Sequence, residues 1–244
     1  MHWGNKIFMQ KLLEEIEDYR KAKQYKQKAD KDSICGKYII KNLANNKGFM
    51  AFLNEEYDEE SDKEVCKKLG QCHYKERYYY FEELSNNSGG NVIFFLFNPS
   101  KTCPEKRDDT VNNCYKLAEK NKYKSMEVIN VYSTRNPVVN KTFLTKEFNN
   151  EANKNFIKSF LEARKNNDIV IAWGYGKEKD YKNLLNEYTN IIKENGLKKY
   201  YISLNLIDNV IQNLKNKKMH PGNQVWSPFG GFEKIAILKE ENDS

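Results

Sequence analysis

The chain has 244 residues, a formal charge of +7 and an isoelectric point near 8.9. No apolar run approaches the roughly 20 residues that cross a bilayer, and no long apolar segment precedes a cleavage site. A membrane span and a secretory leader are therefore not expected, and the expected compartment is the cytoplasm. The basic balance suits a polyanionic partner, although Lys and Asn are spread along the whole chain, so charge alone defines no nucleic-acid surface.

Five cysteines, Cys35, Cys66, Cys72, Cys103 and Cys114, form no CxxC pair. An odd count in a cytoplasmic chain reads as free thiols. Cys66, Cys72 and His73 lie close together but fit no zinc template. No phosphate loop of the GxxxxGK[ST] type is present. Neither a metal nor a cofactor is expected.

Residues 1–74 read as a helical extension of three segments. Phe8, Leu12, Leu13 and Ile16 recur at helical spacing, and the next apolar stretches are 34–43 and 49–53. An acidic run follows at 55–62. The extension either packs on the main domain or clamps a substrate, with Lys21, Lys23, Lys26 and Lys28 toward phosphates. From residue 75 strands alternate with helices. RYYYFEEL at 77–84 reads as an edge strand, and 85–90 as a turn. VIFFLFNPS at 92–100 is the most informative stretch: a run this apolar reads as a strand buried on both faces. Pro99 cannot continue the ladder, which leaves Asn98 at the carboxyl end of a central strand, where open α/β sheets place ligands.

A helix at 110–122 follows, capped by Asp108 or Asp109. EVINVY at 127–132 is a second strand and 150–164 a helix with Phe156, Phe160 and Leu161 on one side. DIVIAW at 168–173 is a third strand, closed by Gly174, Tyr175 and Gly176. A helix at 181–195 stops at Gly196, 199–204 is a fourth strand and 206–214 another helix. The tail at 220–238 is a loop and a short strand. This alternation predicts an α/β domain over 75–244, a three-layer α/β/α arrangement with a central four-stranded, mainly parallel sheet. Asn98, Asn130 to Tyr132, Trp173 to Gly176 and the segment near His220 would then share one sheet edge.

The order of motifs over about residues 76–238 resembles the uracil-DNA glycosylase superfamily. Strand one ends in Asn98-Pro99-Ser100, strand two carries Asn130, strand three ends in Trp173-Gly174, and His220-Pro221 follows strand four. With Asp108-Asp109-Thr110 added, the pattern is most similar to a bacterial branch of that superfamily. The resemblance implies a monofunctional DNA glycosylase acting by base flipping and base excision, as a monomer on DNA, with no metal and no cofactor. It gives Asn98 the attacking water, Asn130 the edge of the flipped base and His220 a hydrogen bond to the base carbonyl as charge develops there. Asp108 and Asp109 either supply the missing carboxylate or cap the helix. Ser100, Tyr132, Trp173 and Tyr175 would line the base pocket, and core packing is the other reading of Trp173. Lys101, Arg135, Pro221 and Gly222 would meet the DNA backbone, and Trp226 or Phe229 would act as the wedge. Lys106 and Lys141 are further cations near that edge. The sequence departs from the superfamily's His-Pro-Ser-Pro at Gly222 and Asn223, and its first motif lacks a carboxylate. These departures argue against uracil, and the resemblance, through relatives that act in phage defence, implies a bulky modified cytosine such as glucosylated hydroxymethylcytosine in phage DNA, as an antiviral defence. Uracil or mismatch repair, a non-catalytic DNA-binding protein and an enzyme on free nucleotides are the alternatives.

Overall fold

The computed structural model describes residues 2–23, 26, 33–35, 38–53, 76–84, 88–99, 101–135, 151–165, 167–173, 182–204, 221 and 236–240. It is a mixed α/β structure with two compact units. The first holds 1–83, 98–108 and 129–160, and the second holds 84–97, 109–128 and 161–244.

The first unit opens with α1, His2–Lys21, which buries Met9, Leu12, Leu13, Ile16 and Tyr19 along one stripe. Four strands follow: β1 at Ser33–Cys35, β2 at Tyr38–Asn42, β3 at Gly48–Leu53 and β4 at Arg77–Glu83. They pair in that order, each antiparallel to the next. Among the described residues of the extension, α1 is followed by strands where further helical segments were expected. The described residues 38–42 and 48–53 are strands because β-branched and aromatic residues (Ile39, Ile40, Phe49, Phe52) flank a tight turn. Asn45 accepts the Lys47 N–H at 3.0 Å, and Asn46 takes a left-handed φ of 53°. The turn returns the chain at Gly48, where a Cβ would stand 1.9 Å from the Phe81 carbonyl oxygen. Only glycine allows that approach.

β4 is not the expected edge strand. It pairs with β3 on one side, and at its start Glu76 bridges Thr134 while the Arg77 N–H donates to the Ser133 carbonyl at 2.8 Å. Arg77 to Glu82 are all buried, so the charged residues in the run did not mark a solvent face. Lys26 forms an ion pair with Glu83 at 2.7 Å. The stretches 55–62 and 85–87, and Lys28, lie outside the described residues.

In the second unit β5, Asn91–Leu96, is buried from Val92 onward, as its composition demands. It pairs parallel with β7, Asp168–Ile171, which pairs parallel with β8, Lys198–Leu204. β9, Ala236–Glu240, runs antiparallel to β8, and β6, Ser125–Asn130, lies beside β5. The unit boundary falls inside β6, between Val128 and Ile129. The helices are α2 at Asp109–Lys120, α3 at Glu151–Glu162 and α4 at Lys182–Glu194. Gly196, at φ 66°, ends the turn after α4 as expected. Glu127 and Arg164, both buried, pair through bidentate bonds of 2.9–3.0 Å.

The four-stranded, mainly parallel sheet is thus corrected. Nine strands are described: in the second unit parallel pairing joins β5, β7 and β8 and β9 runs antiparallel to β8, and in the first unit β1 to β4 pair antiparallel. Short connections at 43–47 force antiparallel hairpins, which helical crossovers do not. The helix expected at 206–214 lies outside the described residues. Among those residues no helix is long and apolar enough to cross a membrane.

Candidate functional site

Of the candidate site residues that the structure describes, Asn98, Lys101, Asp108, Asn130, Tyr132 and Arg135 belong to the first unit and Asp109, Trp173 and Pro221 to the second. The chain leaves β5 through buried Phe97, half-buried Asn98 and buried Pro99, and the Asn98 amide donates to the Pro99 carbonyl at 3.1 Å. Thr102 then organises the loop. Its N–H donates to Asp108 Oδ2 at 3.0 Å, and its hydroxyl accepts the Asp108 N–H at 2.9 Å. Its carbonyl accepts Arg77 Nη1 at 3.4 Å and Arg135 Nη2 at 3.0 Å. Asp108 therefore closes its own loop, immediately before α2.

A second anchor holds the same loop. Glu82 is fully buried in β4 and accepts Arg107 Nε at 2.8 Å, Arg107 Nη2, Asn45 Nδ2 at 2.7 Å and the Tyr80 hydroxyl. Burial and then the Glu82 charge push the Tyr80 phenol well above its ordinary pKa. Burial alone would lower Arg107, but the bonds and charge of Glu82 and Tyr80 outweigh it and raise its pKa. The β2–β3 turn adds a backbone bond, Ala44 N–H to the Pro104 carbonyl at 2.9 Å. Within the loop Cys103 and Lys106 exchange backbone bonds of 3.0 and 3.1 Å, and burial pushes the Cys103 thiol up. The loop after Asn98 is thus tied to β4 and to the amino-terminal hairpin.

Asn130 ends β6 and is 2% exposed. Neither its Nδ2 nor its Oδ1 meets a hydrogen-bond partner among the described residues. A buried amide left so costs about 1–3 kcal/mol for each unmet group, which native cores rarely tolerate without reason. The Asn130 backbone, by contrast, is held: Asn153 Nδ2 donates to its carbonyl at 3.2 Å and to that of Val131 at 2.8 Å. Tyr132 is buried. Arg135, expected at the surface near phosphates, is fully buried, with Cζ 5.8 Å from the Phe52 ring centroid and its Nη2 on Thr102. Its aromatic and carbonyl neighbours draw the guanidinium inside.

In the second unit Asp109 is exposed in the first turn of α2. Trp173 is buried, edge-on to Phe95 at 5.4 Å, and its indole N–H has no partner among the described residues. The carbonyl of buried Pro221 accepts a hydrogen bond from Asn113 Nδ2 of α2 at 2.8 Å. Lys101 and Lys106 are exposed. Ser100, Lys141, Tyr175, His220, Gly222, Trp226 and Phe229 lie outside the described residues. Among the described residues no group of three or more His, Cys, Asp or Glu side chains could hold a metal.

Sequence reasoning missed Thr102, Glu82, Arg107, Asn153 and Asn113. The available signal was an Arg and a Glu inside an aromatic strand, RYYYFEE, where a charge stays buried only with a partner.

Residues 77–221, more than half of the chain, match the family described as a protein of unknown function (DUF1643), and the chain belongs to that family. The matched span starts at β4 and ends at Pro221, and α1 with β1–β3 lies before it. No curated protein and no solved structure matches the chain.

Proposed function

We propose that the protein is a DNA glycosylase that hydrolyses the N-glycosidic bond of a modified base and leaves an abasic site. The observation that supports it best is the buried Asn130 amide, which presents one donor side and one acceptor side with no partner among the described residues. Such an amide complements the Watson–Crick edge of a base turned out of its stack. The motif order around it, Asn98-Pro99-Ser100 to His220-Pro221, resembles the uracil-DNA glycosylase superfamily. The finer fold reading is that superfamily's three-layer α/β/α core, enlarged by antiparallel strands.

In this reading the bond from C1′ to the base nitrogen breaks and its electron pair leaves with the base. His220 donates a hydrogen bond to the base carbonyl that gains charge. Water held at Asn98 adds to the sugar cation, and its proton passes to a carboxylate or to solvent. Asp109 is the exposed carboxylate of the Asp108-Asp109 pair, since Asp108 Oδ2 receives the Thr102 N–H. The enzyme works as a cytoplasmic monomer on duplex DNA. The preferred base is a bulky cytosine such as glucosylated hydroxymethylcytosine, consistent with defence against phage DNA, and uracil is the alternative.

The test is a panel of duplexes carrying uracil, a thymine mismatch, hydroxymethylcytosine or its glucosylated form, incubated with the protein and with His220→Ala, then treated with alkali. Strand breaks with one base, lost in the variant, support excision. Salt-sensitive binding to all of them without breaks turns the reading to a DNA-binding protein on a glycosylase-like fold.

A further inference from the structure

Asn153 carries the inference. It is the third residue of α3, 2% exposed, and no sequence motif contains it. Its single amide nitrogen donates to two successive carbonyls, those of Asn130 and Val131, at 3.2 and 2.8 Å. In an extended strand successive carbonyls point to opposite sides, so one donor reaches both only where the chain bends. β6 ends at that point, at Asn130. The bend sets the direction of the Asn130 Cα–Cβ bond and so the direction of its amide.

The helix that presents Asn153 is itself fixed. One turn on, Phe156 stands edge-on to Tyr78 at 5.9 Å, and Phe160 packs on Tyr79 at 5.8 Å. Both tyrosines belong to β4, whose Arg77 holds the Thr102 loop. The donor is thus delivered from a rigid element, as a residue that supports a recognition group must be.

We infer that Asn153 is a positioning and specificity-determining residue, which aims the Asn130 amide at the edge of the bound base. The inference rests on the glycosylase reading for its substrate, and on the structure alone for its geometry. Two hydrogen bonds to one base edge need the amide within a narrow range of angles, and a relaxed bend would satisfy one and lose the other.

The experiment is a double-mutant cycle on base release from duplexes carrying uracil, hydroxymethylcytosine or its glucosylated form. Asn153→Ala should lower kcat/KM on the preferred base about tenfold and shrink the preference over the next base, as expected when one of two paired bonds is misaligned. Asn153→Ser keeps a donor and should recover part of the loss. In an Asn130→Ala background the same Asn153 substitutions should cost less than about twofold, because their effect passes through Asn130. Equal losses in both backgrounds would overturn the inference and leave Asn153 a purely structural residue. If the wild-type protein releases no base from any duplex, the glycosylase reading fails separately. The inference then stands or falls on the side-chain amide resonances of Asn130. These should shift in Asn153→Ser while distant amides stay put, and unchanged resonances would overturn it.

Discussion

Arg107→Met removes the only guanidinium bonded to the fully buried Glu82 carboxylate among the described residues. Two of the four hydrogen bonds to Glu82 come from Arg107, and the other two come from neutral groups, Asn45 and Tyr80. Breaking a buried pair by removing one partner costs about 3–5 kcal/mol, since the remaining charge stays in low dielectric. The Arg107 side chain is 26% exposed, so water relieves part of that cost and the lower end, about 3 kcal/mol, is expected. For a chain of this size that lowers Tm by about 6–12 °C. Urea unfolding, followed by circular dichroism with the slope held constant, reads the free energy directly. Adding Glu82→Gln removes the stranded charge and should restore about 1–2 kcal/mol of the loss. A loss below about 1 kcal/mol in Arg107→Met, or no recovery in the double variant, would refute the claim that this pair anchors the loop.

Gly48→Ala should destabilise by about 3 kcal/mol, because β3 and β4 must part to admit a methyl group 1.9 Å from the Phe81 oxygen. Gly90→Ala, with open space around the new atom, should stay within about 0.5 kcal/mol, and thermal melts of the two variants check both. Alkali should unfold the protein through its tyrosines. Burial first, with nearby carboxylates, raises Tyr80, Tyr123 and Tyr200 above the usual value of 10.0. Their contribution is complete below that value, where both states are protonated. It is lost as pH rises toward the folded values, because the unfolded chain ionises first. Buried Tyr80 alone gives a slope of about 1.4 kcal/mol per pH unit above pH 10, and urea midpoints across that range, flattened in Tyr80→Phe, are the check.

Long periodic segments were legible in the sequence. β5 and the helices α2, α3 and α4 fall where apolar spacing placed them, since burial on both faces or along one stripe leaves a direct pattern. The amino-terminal hairpin was not, because runs as short as 38–42 and 48–53 fit a helix or a strand equally well until their pairing is known. The charged ends of RYYYFEE pointed to solvent, yet Arg77 and Glu82 find their partners at Thr102 and Arg107, 25 positions away in each case. No local pattern carries such pairing. Asn130 stood out through the motif order that resembles the uracil-DNA glycosylase superfamily, whereas an asparagine in a helix, like Asn153, reads as a surface residue until the carbonyls it faces are known.

The central claim is tested most directly by mass spectrometry of free base released from duplexes carrying each candidate base, for the wild-type protein and for Asn130→Ala. The account predicts one base released by the wild type and at least about a hundredfold less by the variant, with unfolding midpoints unchanged or raised as the unmet amide is removed. Release at equal rates by both proteins, or no release from any duplex, would contradict it.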